Sequence, residues 1–107
     1  MASTLELVVT TTQAANYTLA LVDACTVVEC TKATAQTVTI PLNSSVAFPI
    51  GTVIEVCQAG AGQVTLTPVT GAVTINTPAS LTTRVQWSSV SLRKRGTDLW
   101  VAGGDLT

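Results

Sequence analysis

The chain is 107 residues long, 47% hydrophobic and only 10% charged, with a formal net charge of −1 and no histidine. A length of this order is one domain with a core of modest size. The charge balance excludes the strongly basic surface that nucleic acid or an anionic membrane favours, and the missing histidine removes the commonest general base and metal ligand.

Valine and threonine make up about a third of the residues. Both are branched at Cβ, which suits a pleated, half-buried surface and disfavours helix, so an all-β chain is expected. In chain order, LELVVT (5–10) alternates and reads as a short strand or extended arm, and TTQAAN (11–16) as a polar connector. The N-terminus has no basic region and carries Glu6, so it is not read as a signal peptide. YTLALV (17–22) alternates again, with Tyr17, Leu19 and Leu21 on one face, and Asp23-Ala24 reads as a turn. TVVEC (26–30) is a strand, TKATAQ (31–36) a loop, and TVTIP (37–41) a strand with Val38 and Ile40 inward, stopped by Pro41. NSSVAFPIG (43–51) is the longest loop. Phe48, held extended by Pro49, is expected to tuck beneath it as a plug.

TVIEVCQ (52–58) places Ile54 and Val56 in the core and Glu55 and Cys57 on the opposite face. AGAG (59–62) is a glycine turn. QVTLTPV (63–69) and AVTIN (72–76) read as two antiparallel strands joined at Thr70-Gly71, with threonine on the wet face. TTRVQWSSVSLRKRG (82–96) is the longest strand pattern. Val85 and Trp87 share one parity and Val90 and Leu92 the other, so a β-bulge at Ser88-Ser89 is expected to keep all four inward. Gly96-Thr97-Asp98 turns the chain into LWVAG (99–103). The expected architecture is all-β: a single small antiparallel β-sandwich or barrel-like domain of seven to nine short strands over residues 17–107, preceded by an extended N-terminal arm at residues 1–16.

The residues offer little chemistry. Glu6, Asp23, Glu29, Glu55, Asp98 and Asp105 are scattered, and no nucleophile stands beside a base. Three cysteines, Cys25, Cys30 and Cys57, are an odd number for a disulfide framework, although Cys25 and Cys30 can pair if they flank a tight turn. Their C-x4-C spacing, with one further Cys and no His, lacks the four ligands of a structural zinc site. Arg93-Lys94-Arg95 is the one charge cluster. On a strand Lys94 points away from its neighbours, and the three read as solvated charges guarding an edge. The glycines at 60–62 precede no helix, so they offer no anion site. No catalytic residue, cofactor or metal is expected, and the chain is not read as an enzyme.

From Tyr17 onward, the succession YTLALVDA, TVTIPLNSSVAFPIGTVIEV, QAGAGQVTLTP and VSLRKRGTDLWVAGGDL resembles a small β-sandwich module of tailed-bacteriophage virion structural proteins, of the capsid decoration or tail fibre type. The resemblance covers residues 17–107 and lies in turns and apolar positions rather than in a catalytic signature. It implies a protein made in the host bacterial cytoplasm and assembled into the virion. With so few residues ahead of the module, a capsid decoration (cement) protein on the capsid exterior is the expected role. Its expected partners are the major capsid protein and further copies of itself, as a homotrimer, with no nucleic acid and no membrane. Leu5, Leu7 and Val9 of the arm are the expected capsid contacts, by strand addition to an exposed sheet edge. The alternative is a tail fibre or minor tail component that binds a host receptor or carbohydrate. Trp87 and Trp100, its only large stacking residues, are expected in the core or half-buried.

Overall fold

A computed structural model describes residues 7–107. Among these residues lie nine strands: β1 Thr10–Gln13, β2 Tyr17–Thr18, β3 Val27–Cys30, β4 Gln36–Ile40, β5 Val53–Gln58, β6 Val64–Pro68, β7 Thr74–Asn76, β8 Ser89–Gly96 and β9 Leu99–Gly104. A single 3-10 turn, Leu21–Asp23, is the only helical element among them. The fold is all-β, as the Val and Thr content predicts.

The strand directions are not as predicted. A six-stranded sheet runs β1-β3-β5-β8-β9-β7 and a three-stranded sheet runs β2-β4-β6. The three-stranded sheet is parallel throughout. In the larger sheet β1, β3 and β5 are parallel, β5, β8 and β9 antiparallel, and β7 parallel to β9. An antiparallel assembly is therefore replaced by mixed sheets. The first six strands alternate between the two sheets, so the chain winds as a short solenoid of three rungs, β1–β2, β3–β4 and β5–β6. The hairpin β8–β9 then closes the larger sheet against β5.

The winding explains the glycine turn. The corners between sheets stack: Thr31 N–H donates to Gln13 O, Gly60 N–H to Cys30 O and Gly62 N–H to Lys32 O, at 2.9–3.0 Å. A Cβ on Gly60 would lie 2.5 Å from Lys32 O, and one on Gly62 only 1.8 Å from Thr34 O. Only glycine lets one backbone corner lie this close to the next. Gln36 lies buried under the same corner, its Nε2 donating to Gln13 O and Ala15 O at 3.0 and 2.7 Å.

Between the sheets one apolar cluster joins Val28, Ile54, Val56, Val90, Leu92 and Trp100 to Val38, Ile40, Val64 and Leu66. Phe48 enters it from the 41–52 connection and meets Trp100 edge to face, with ring centroids 5.7 Å apart. The expected plug is present.

Five local expectations are corrected. The 17–22 stretch forms only two strand residues before the 3-10 turn, because the chain must leave its sheet to begin the next rung. Thr10–Gln13, read as the end of the first stretch and the connector, forms the edge strand beside β3. The 63–76 segment is not a hairpin: β6 and β7 lie in different sheets. No bulge lies at Ser88-Ser89, because no strand runs directly into Ser89, where β8 begins; Val85 and Trp87 stand 47% and 65% exposed. Lys94 is buried rather than solvated. Its neighbours on β8 face outward, and Lys94 shares the inward parity of Val90 and Leu92. Its Nζ donates to Asn43 Oδ1 at 2.6 Å and to Phe48 O at 2.8 Å, 5.9 Å from the Trp100 ring. The ammonium thus ties the 43–51 loop to β8, while Asn43 N–H donates to Asp98 Oδ1 at 2.7 Å.

Candidate functional site

The outward face of the larger sheet carries a groove. On β3 and β5 the inward residues are Val28, Ile54 and Val56, so Val27, Val53 and Glu55 face out. Together with Val8, Cys25 and Thr26 they line an open groove of about 350 Å³. Its walls are apolar except for Thr26 and the Glu55 carboxylate.

One rim is set by the β2–β3 connection. Asp23 is fully buried there, and its Oδ2 accepts from the Tyr17 hydroxyl at 2.7 Å and from Ala20 N–H at 2.8 Å. Thr26 Oγ1 donates to Asp23 O at 2.7 Å. Burial and the bond to Asp23 push the Tyr17 hydroxyl up to about 12. The braced turn carries Leu21 and Val22 at 56% and 78% exposure, and Cys25 in a left-handed conformation with φ 58°.

The other rim is the segment ahead of β1. Of the expected contact residues, Leu5 lies outside the described residues, and Leu7 and Val9 are exposed. Val9 O accepts from Val27 N–H at 2.9 Å, so the segment already lies along β3 at this point. The residue that reaches the groove is Val8, which the expectation passed over. The alternation itself held the signal, since residue 8 takes the opposite side from 7 and 9.

A second exposed feature is the turn Val85–Ser88. Ser88 N–H donates to Val85 O at 3.1 Å and Val85 N–H to Ser88 Oγ at 3.0 Å. Trp87 holds the third position with φ 72°, where a turn of this kind favours glycine. Outside bonds lock the turn. Trp87 N–H donates to Gln58 O, Gln86 Nε2 to Ala59 O at 2.9 Å, and Ser88 Oγ to Asp105 Oδ2 at 2.7 Å. Arg84 grips the same carboxylate through two bonds of 2.8 and 3.0 Å. These bonds from Arg84 and Ser88 hold Asp105 below the usual carboxylate range, and Asp105 raises the Arg84 guanidinium in return.

The cysteines are all free thiols. Cys30 is buried in the core, and burial with Cys57 nearby pushes it up to about 11. Cys57 is also buried but stands outside the core cluster, on the Glu55 side as its parity predicts. Cys25 is exposed. Among the described residues no group of three or more His, Cys, Asp or Glu side chains is placed to hold a metal. Compared with known proteins, the chain matches no family model, no curated protein and no solved structure. The site is therefore read from its own chemistry, which is that of apolar contact.

Proposed function

We propose that this protein is a bacteriophage virion structural protein, a capsid decoration (cement) protein that binds the outer capsid surface as an oligomer and stabilises the shell. In this reading the two-layered domain serves as a compact β-sandwich brick. The observation that carries it is the exposed apolar side chains on the two segments that rim the groove: Leu7, Val8, Val9, Leu21 and Val22 are each more than half exposed, and Val27 and Val53 wall the groove between those segments. An apolar patch of this kind is expected to be covered by a partner in the working assembly. Leu7 and Val9, with Leu5 ahead of them, contact the major capsid protein, and trimers of the domain spread many weak contacts over the lattice. The likeness of residues 17–107 to phage modules supports the same role.

Quantitative mass spectrometry of purified particles tests this reading. Hundreds of copies per particle, in fixed ratio to the shell protein, are expected. A handful of copies overturns it in favour of a tail fibre or minor tail component that binds a host receptor or carbohydrate. One observation favours that second reading: Trp87 is exposed rather than buried, and an exposed indole is a stacking surface.

A further inference from the structure

We propose that the indole of Trp87 seats in the Val27–Val53 groove of a second copy of this chain. The inference rests on the oligomer in the reading above and not on its place in the virion, so copy number and self-association fail separately.

The argument begins with strain. Trp87 sits at φ 72°, a backbone conformation that disfavours every residue with a Cβ, and it is 65% exposed. Glycine would hold this turn without strain and without an aromatic ring in water. Neither the turn nor the core uses the indole. The turn is nevertheless locked from several sides, by Gln58 O, Ala59 O and the Arg84–Asp105–Ser88 bonds. A rigid mount under an exposed aromatic is the form of an interface anchor, because little freedom is lost when it is covered.

The groove supplies the matching half. Its volume of about 350 Å³ has room for one large side chain. Val8, Val27 and Val53 offer apolar walls to the ring, and Glu55 offers an acceptor for the indole N–H, which seeks a partner when buried. Within one copy the indole stands 65% exposed and does not fill the groove, although Ser89 Oγ, two residues on, donates to Glu55 Oε2 at 3.4 Å. Trp87 is bonded to Gln58, the last residue of β5, whereas Val53 and Glu55 stand three to five residues earlier on that strand, about 10–17 Å away at the rise of a strand. Anchor and groove therefore meet between copies. Each copy gives one anchor and receives one, either reciprocally about a two-fold axis or around a closed ring.

Sedimentation across the micromolar to millimolar range tests the contact with two variants. Trp87→Gly removes the anchor and relieves the turn; Val53→Glu puts a second carboxylate into the groove at an exposed position. The wild type is expected to associate, and each variant alone to remain monomeric. The melting temperature of Trp87→Gly is expected to equal or exceed that of the wild type, which separates lost association from lost folding. Mixing the two variants is expected to restore association, more weakly than in the wild type, because one copy still offers the groove and the other the indole, which keeps one contact of the wild-type two. A wild type that stays monomeric throughout the range overturns the proposal. So does a Trp87→Gly protein that associates like the wild type, or a mixture of the variants that does not associate.

Discussion

Lys94 lies in an environment far from the usual one for its type. The residue is 2% exposed, and its ammonium holds two neutral oxygens, Asn43 Oδ1 and Phe48 O. Lys94→Met keeps the apolar stem but leaves both acceptors without their donor. It is expected to destabilise the domain by about 1–3 kcal/mol, measured by urea unfolding. Gly62 makes a steric case instead: a methyl group there meets Thr34 O at 1.8 Å, so the stacked corners must separate. Gly62→Ala is expected to lower stability by about 1–3 kcal/mol in the same assay. The thiols separate by burial. Cys25 is expected to react with a thiol reagent in the native protein, and Cys30 and Cys57 only after unfolding. A count of modified cysteines by mass spectrometry, before and after denaturant, checks this. Lys94 and Gly62 also show where a sequence is silent at this scale. A lysine in a basic triplet and a glycine in a turn have the same local pattern whether solvated or packed, and only a segment distant in sequence, the 43–51 loop for Lys94 and the 32–34 corner for Gly62, distinguishes them.

At the scale of elements, the β2–β3 connection and the 85–88 turn carry opposite pH responses. Tyr17 and Cys30 are both raised, to about 12 and about 11, so the fold favours their neutral forms. Their contribution to stability is whole below pH 9, and it is lost as pH rises through those values. Denaturant midpoints are expected to fall progressively above pH 9, and Tyr17→Phe is expected to remove part of that fall. Asp105 is lowered, so its contribution is present above the ordinary carboxylate range and lost as pH falls through its folded value. Because this ion pair is exposed, acid is expected to loosen the 85–88 turn, seen as a change in Trp87 fluorescence, before the core unfolds. Strand positions such as β4, β5 and β9 were legible from alternation and turn residues. The stretch before Ser89 was not, because a period of two in TTRVQW is satisfied equally by a strand and by a turn with exposed side chains.

For the whole molecule, the exposed apolar side chains at the groove rims and the exposed Trp87 are the surfaces on which the proposed contacts rest. Removal of residues 1–8 stops short of Val9, whose carbonyl is bonded to Val27. The shortened protein is expected to keep its melting temperature and to lose binding to purified shells; undiminished binding would remove Leu5 and Leu7 from the contact. By itself the sequence determined the all-β class, the inward residues Val38, Ile40, Ile54, Val56, Val64 and Leu66, and the Phe48 plug. Those follow from side-chain shape and two-residue alternation, which are local properties. Only the tertiary structure decided the parallel pairing of the rungs, the burial of Lys94, and the exposure of Trp87 beyond the strand. Alternation is the same whichever way a neighbouring strand runs, and a side chain's exposure depends on which distant segment lies over it.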